Sequence, residues 1–249
     1  MRKLAKWAAI FAGLVAVYAF LDESHVVRFR LTMEVETPTG LRKSTNILES
    51  RYETGKSSYP QAVNLYKTTG EAAFVDLGEG KHVIALLAGG EKGDWADWHR
   101  YMLLGAFSET TGRQIKLENL SHERGVAVIT PVMRFGGSSL MPTLVSFTDA
   151  NNPTSAKVVP PTEVGFSTAF GPNYAFRQVT IEFVPAGLWP FNQWAGPWPQ
   201  WLFGTPVTRG IEARLPWWNR PGRPAADAAR AAGLALNAID VELYFVRKF

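Results

Sequence analysis

The stretch HVVRFRLTMEVE, residues 25–36, sets Val27, Phe29, Leu31, Met33 and Val35 against Arg28, Arg30, Thr32, Glu34 and Glu36. An apolar residue at every second position cannot line one side of a helix, but it lines one side of a strand. TPTG follows, then LRKSTNILESRYE, so residues 25–53 are expected to form a long hairpin with one face in a core. EAAFVDL and KHVIALLAG flank Gly78, Glu79 and Gly80 and read as a second hairpin. RGVAVITPVMRF, PTLVSFTD, FRQVTIEFVP and the closing DVELYFVRKF add further strands between Gly-, Pro- and Asn-rich turns.

Two segments break the pattern. DWADWHRYMLLGAF spaces Trp95, Trp98, Met102, Leu103 and Phe107 as a helix does, with Asp94 as its N-cap. PAADAARAAGLALNAI is alanine-rich and helical, although Gly233 weakens it. The expected class is mainly β within α+β: a single N-terminal transmembrane helix, then a mostly antiparallel sheet domain with one short central helix and one C-terminal helix.

The transmembrane expectation comes from MRKLAKWAAIFAGLVAVYAFLDE. Arg2, Lys3 and Lys6 precede an uncharged apolar run from Trp7 to Leu21, which stops at Asp22 and Glu23. Fifteen helical residues rise about 22 Å against a hydrocarbon core of about 30 Å, and Leu4, Ala5 and a snorkelling Lys6 make up the length. Residues 1–22 therefore read as an anchor; a cleaved signal ending near Val17-Tyr18-Ala19, or a buried soluble helix, are the rival readings. Basic residues ahead of the helix leave the amino terminus in the cytoplasm and place residues 23–249 in the bacterial periplasm. That body reads as one β-rich domain, with DANNPTSAKVVPPTE at 149–163 as the best boundary if it has two lobes.

The chain carries +4 overall, but three of its 26 basic residues and none of its 22 acidic ones lie before Asp22, which leaves +1 on the body. A near-neutral domain lacks the clustered cations that displace counterions from phosphate, so nucleic acid is excluded as a partner. With no cysteine there is no disulfide, thiolate metal site or thiol nucleophile.

Motifs of chemistry are sparse. His25, His82, His99 and His122 lie far apart, and none forms a zinc motif. GFSTA has Ala169 where a nucleophile elbow needs glycine, so its serine reads as a turn residue. GEGKH and GGEKG lack phosphate-loop spacing and read as hairpin turns. The acid pairs Glu34 with Glu36 and Asp94 with Asp97 read as solvated faces. No catalytic residue, metal or cofactor is expected.

LWPFNQWAGPWPQWLFG, residues 188–204, is the exception. Trp189, Trp194, Trp198 and Trp201 stand among Phe191, Phe203 and three prolines, and Trp217 and Trp218 follow, so six of nine tryptophans fall within 30 residues. Pro190, Pro197 and Pro199 withhold donors and fix φ, so this Trp/Pro-rich loop at 186–204 cannot be one helix or a central strand. Indole rings concentrate at lipid interfaces and protein contacts. The loop could fold back as a lid, lie on inner-membrane lipid, dock an integral membrane protein complex, or stack on glycans with Asn192, Gln193 and Gln200 as hydrogen-bonding groups. Arg209, Arg214, Arg220 and Arg223 around LPWW favour anionic head groups or acidic partners. A cell-wall glycan enzyme would need paired carboxylates, for which Glu182 and Glu212 are nearest.

Several segments together, VRFRLTMEVETPTGLRKSTNILESRY, GEAAFVDLGEGKHVIALLAG, MPTLVSFTDANNPTSAKVV with FGPNYAFRQVTIEF, and TPVTRGIEARLPWW, resemble a group of uncharacterised proteobacterial proteins with an amino-terminal membrane signal. The resemblance covers most of 25–218 and implies a membrane-anchored envelope protein. It brings no catalytic residue, and the Trp/Pro loop looks like an insertion relative to it. The function expected is a non-enzymatic, membrane-anchored accessory or interaction subunit docking through Trp189, Phe191, Trp194, Trp198, Trp201, Phe203, Trp217 and Trp218 with Arg209 and Arg214; the alternative is an envelope enzyme or glycan binder.

Overall fold

The long hairpin forms over its full length. β1 (Ser24–Thr37) and β2 (Gly40–Glu53) pair antiparallel in unbroken register from Ser24 opposite Glu53 to Thr37 opposite Gly40, turning through Pro38 and Thr39. Val27, Phe29, Leu31, Met33 and Val35 are all buried in the main core, as the alternation requires. The computed structural model describes residues 24–53, 67–93, 98–135, 137–188, 191–193, 199–235 and 245–247, with Trp7, Ile10 and Gly13. The leader at 1–22 otherwise lies outside the described residues, among which no helix is long and apolar enough to cross a membrane.

β3 (Lys67–Glu71) and β4 (Ala73–Gly78) are separated only by Ala72, and β5 (Lys81–Gly89) returns antiparallel to β4. α1 (Trp98–Thr111) follows, then β6 (Val126–Ile129), the short β7 (Arg134–Phe135) and β8 (Ser138–Ser139), β9 (Pro142–Phe147) and β10 (Ala156–Val158). α2 (Glu163–Phe170), β11 (Ala175–Val184), the one-turn α3 (Gln200–Phe203), α4 (Pro224–Ala231) and β12 (Val246–Arg247) complete the described strands and α-helices, with short 3-10 turns between them. One sheet runs β12-β3-β2-β1-β11-β6 and a second runs β10-β9-β5-β4, each antiparallel throughout.

β5 explains how the layers stack. Val83, Ala85 and Leu87 point into the core shared with the first sheet, while Ile84, Leu86 and Ala88 point into a second core under α4 and the segment at 211–218. A strand covered on both faces has no solvent side, which is why KHVIALLAG reads as an unbroken apolar run rather than an alternation. α1 borders the first core with Trp98, Met102, Leu103 and Phe107 buried, and the Trp98 indole donates to the Leu140 carbonyl at 2.7 Å. Its expected cap, Asp94, lies outside the described residues.

Two sequence expectations change. Residues 163–170, which contain GFSTA, form a helix and not a turn, because Thr162 caps it by accepting from the Gly165 N–H at 3.0 Å. Ser167 lies inside that helix and donates to the Val164 carbonyl, so it occupies no elbow. With α3 this gives four α-helices among the described residues, against the two expected after the leader. GGEKG leads from β5 toward α1 and closes no hairpin, whereas GEGKH does. The 149–163 segment holds the turn of the β9–β10 hairpin, β10 itself as a strand of the second sheet, and the first residue of α2. Of the closing strand only Val246 and Arg247 are described as β, pairing with Glu71 and Gly70.

Candidate functional site

After β11 the chain leaves the first sheet at Pro185 and crosses the sheet's outer face before it reaches the second core. Outer positions of β1 are those of the polar half of the alternation, beginning with Arg28, which stands opposite Glu49 of β2 and Val184 of β11. Arg28 Nε donates to Glu49 Oε2 at 2.7 Å, with the two side chains only 7% and 5% exposed. Its remaining donors reach across to the Trp/Pro loop: Nη1 to the carbonyls of Phe203 at 3.0 Å and Thr205 at 2.9 Å, and Nη2 to that of Asn192 at 2.8 Å. One planar guanidinium thus holds a carboxylate and three backbone acceptors, a fork that a lysine cannot reproduce.

The clamp closes a neck. Leu188 N–H donates to the Leu202 carbonyl at 2.8 Å, and Thr205 N–H to that of Pro185 at 2.7 Å, tying the two ends of the excursion together. Gly204 sits at φ +78° where a Cβ would lie 2.2 Å from Arg28 Nη1 and 2.5 Å from the Ala186 oxygen. Only glycine lets the strands of the neck and the guanidinium approach this closely. Beyond it, Thr208 and Ile47 exchange two bonds, Thr208 N–H to the Ile47 carbonyl at 3.0 Å and Ile47 N–H to Thr208 Oγ1 at 2.8 Å. Ile211 N–H then donates to Glu71 Oε2 at 2.7 Å. The strap is fixed at three successive strands of the sheet.

The aromatic residues divide between two fates. Trp201 is 65% exposed, Leu188 53% and Phe191 40%, while Phe203 is half-buried with its ring edge-on to Phe191 at 6.2 Å. Trp189, Trp194 and Trp198 lie outside the described residues. Trp217 departs from the expectation: it is 0% exposed and packs in the second core against Phe147 at 5.4 Å, Trp218 at 5.9 Å and Phe245 at 5.8 Å, so it offers no surface to a partner. Trp218 is half-buried beside it. Arg209 and Arg214 are exposed, the latter with its guanidinium 5.3 Å over the Phe74 ring. Sequence reasoning missed Arg28, Glu49, Thr69 and Glu71; the facing of Arg28 and Glu49 in one hairpin is the one signal that points toward them.

Glu182 and Glu212 have different surroundings. Glu182 is taken up by Arg30 across the sheet, whereas Glu212 lines a cleft beside β3. β3 and β11 are three strand intervals apart, about 14 Å of sheet width.

The same aromatic chain contains a titratable group. His82 is buried on the outer face of the second sheet between the rings of Phe74, stacked at 4.9 Å, and Phe147, at 5.8 Å, and its Nε2 has no hydrogen-bond partner. Burial pushes its pKa below the ordinary 6.5, partly offset by a backbone hydrogen bond at Gly80 and by the Asp76 carboxylate. The unfolded chain therefore binds the proton first as pH falls below about 6.5, and this residue's contribution costs stability from there downward to the folded pKa, at up to about 1.4 kcal/mol per pH unit. Urea midpoints at pH 7.5 and 5.5 are expected to show a larger drop in the wild type than in His82→Phe; equal drops would refute the assignment.

No protein-family model, curated protein or solved structure matches this chain.

Proposed function

We propose that this protein is a non-enzymatic, membrane-anchored accessory subunit of a bacterial envelope complex, with its β domain in the periplasm and the aromatic excursion as its docking surface. The carrying observation is the neck: a buried Arg28–Glu49 clamp holds the ends of the loop together, and Leu188, Phe191 and Trp201 face solvent beyond it. A lid over the domain's own core would bury such rings. A loop that orders large apolar side chains outward gains from it only when something apolar covers them. The basic-flanked leader supplies the membrane, and at its described positions Trp7 and Ile10 are exposed and not packed into the domain. The partner expected is an integral membrane protein together with the surrounding inner-membrane lipid.

The test is affinity purification of the full chain from native membranes in mild detergent, followed by mass spectrometry. Phe191→Ala with Trp201→Ala is expected to lose the co-purifying membrane proteins while shifting stability by no more than about 0.5 kcal/mol per site, as exposed positions do. Unchanged co-purification by the double variant would sink the reading.

A further inference from the structure

The register of the long hairpin fixes how far the aromatic excursion stands from the leader. Arg28, which grips the carbonyls of Asn192, Phe203 and Thr205, lies four residues beyond Ser24, where β1 begins. Glu49 faces Arg28 of β1 and Thr69 of β3, and the other two fastenings of the strap, at Ile47 and Glu71, are two residues further along their strands. At about 3.3 Å per strand residue, every fastening therefore lies about 13–20 Å along the sheet from the start of β1. Asp22 and Glu23 add at most about 7 Å of chain before the leader. We propose that the excursion and the basic strap behind it seat on the anionic head groups of the same bilayer that holds the leader, so that the occupant of the docking surface is acidic lipid. The inference rests on the docking reading above and narrows its partner.

Charge chooses the lipid. Residues 205–235 hold five arginines and no lysine against Glu212 and Asp227, a surplus of three positive charges, so the rest of the +1 body stands at −2. Arg209, Arg214, Arg220 and Arg223 are exposed, whereas Glu212 is half-buried and Asp227 answers Arg230 at 3.0 Å. These cations span the second sheet from edge to edge. Arg214 stands over the Phe74 ring of β4, and Arg220 donates to the Asn151 carbonyl at 3.0 Å in the β9–β10 turn. An acidic membrane surface attracts such a segment within a Debye length, and a guanidinium fork matches two phosphate oxygens at once.

Leu188, Phe191 and Trp201, exposed beyond the neck, supply the apolar half of the contact. An indole prefers the head-group layer, which is wet on one side and apolar on the other. The leader brings that layer within reach of the strap and makes docking an intramolecular event, for which contacts too weak to recruit a free domain suffice.

The chain has no cysteine, so single introduced cysteines report without background. Gln200→Cys, exposed beside Trp201, and Thr39→Cys, exposed in the hairpin turn about 30 Å further along β1 than Arg28, each carry a polarity-sensitive fluorophore. The full chain is reconstituted in nanodiscs of phosphatidylcholine alone or mixed with phosphatidylglycerol, and quenching by acrylamide is measured. The Gln200 label is expected to be at least about threefold less quenched in the acidic discs, with the difference shrinking as salt is added, and the Thr39 label to be equally open in both. Arg209→Ala with Arg214→Ala is expected to lower the docked-to-open ratio about tenfold, and Arg209→Lys with Arg214→Lys to hold it within about threefold of wild type, because the lysines keep the charge. A Gln200 label equally quenched in both lipids overturns the proposal, as does an alanine pair that docks like wild type or a lysine pair that fails like the alanine pair. The docking reading fails separately. If the Phe191→Ala, Trp201→Ala chain loses its co-purifying membrane proteins while the Gln200 label stays equally open in both lipids, a protein takes the loop and the lipid alone falls; if co-purification is unchanged, the docking reading itself falls.

Discussion

Replacing Arg28 by methionine is expected to destabilise the protein by about 3–5 kcal/mol, the cost of breaking a buried ion pair from one side. The substitution keeps the aliphatic stem but strands the Glu49 carboxylate and the carbonyls of Asn192, Phe203 and Thr205. Arg51 does not rescue Glu49, since its Nη2 lies 4.0 Å away and its side chain is 30% exposed. Arg28→Lys is expected to recover only part of the loss, because an ammonium cannot spread four bonds in one plane. Adding Glu49→Leu to Arg28→Met should restore stability partially by removing the orphaned charge. Urea midpoints with unchanged m-values would measure all three. A loss below about 1 kcal/mol in the methionine variant would mean that the clamp does not hold the neck.

That clamp also marks the limit of what the sequence discloses. Alternation in residues 25–36 fixes the hairpin and names the inward side chains, because the two faces of a strand differ in nothing but side-chain polarity. By the same rule Arg28 belongs to the wet side. It is dry because Asn192, Phe203 and Thr205, more than 160 positions later, meet its guanidinium, and no local pattern encodes such an encounter. β5 shows the converse: its apolar run signals burial on both faces but not which elements provide the second cover. α2 was hidden for another reason. Eight residues give a helical period little more than two turns to appear in, and its stop at Gly171 with its cap at Thr162 are single-residue signals. The Trp/Pro loop was legible as irregular, since its prolines exclude long elements, but the neck that organises it depends on Gly187 and Gly204 meeting across the chain.

Trp217 and Trp201 are the same residue 16 positions apart, and truncating them is expected to give opposite results. Trp217→Ala should cost about 3–5 kcal/mol, as for large rings removed from a packed interior. Its indole lies between Phe147, Trp218 and Phe245, under the segment that closes the second core, so the void has rings on several sides and little freedom to collapse. Trp217→Phe should stay within about 1 kcal/mol of wild type. The smaller ring loses contact area, but it also deletes a buried Nε1–H that has no acceptor, and those two changes oppose each other. Trp201→Ala should leave the melting temperature nearly unchanged, since that ring is mostly in solvent and its loss exposes no core. Thermal unfolding of the three variants separates the roles: if Trp201→Ala destabilises as much as Trp217→Ala, the loop is part of the domain's own packing and its aromatic surface is not held for a partner.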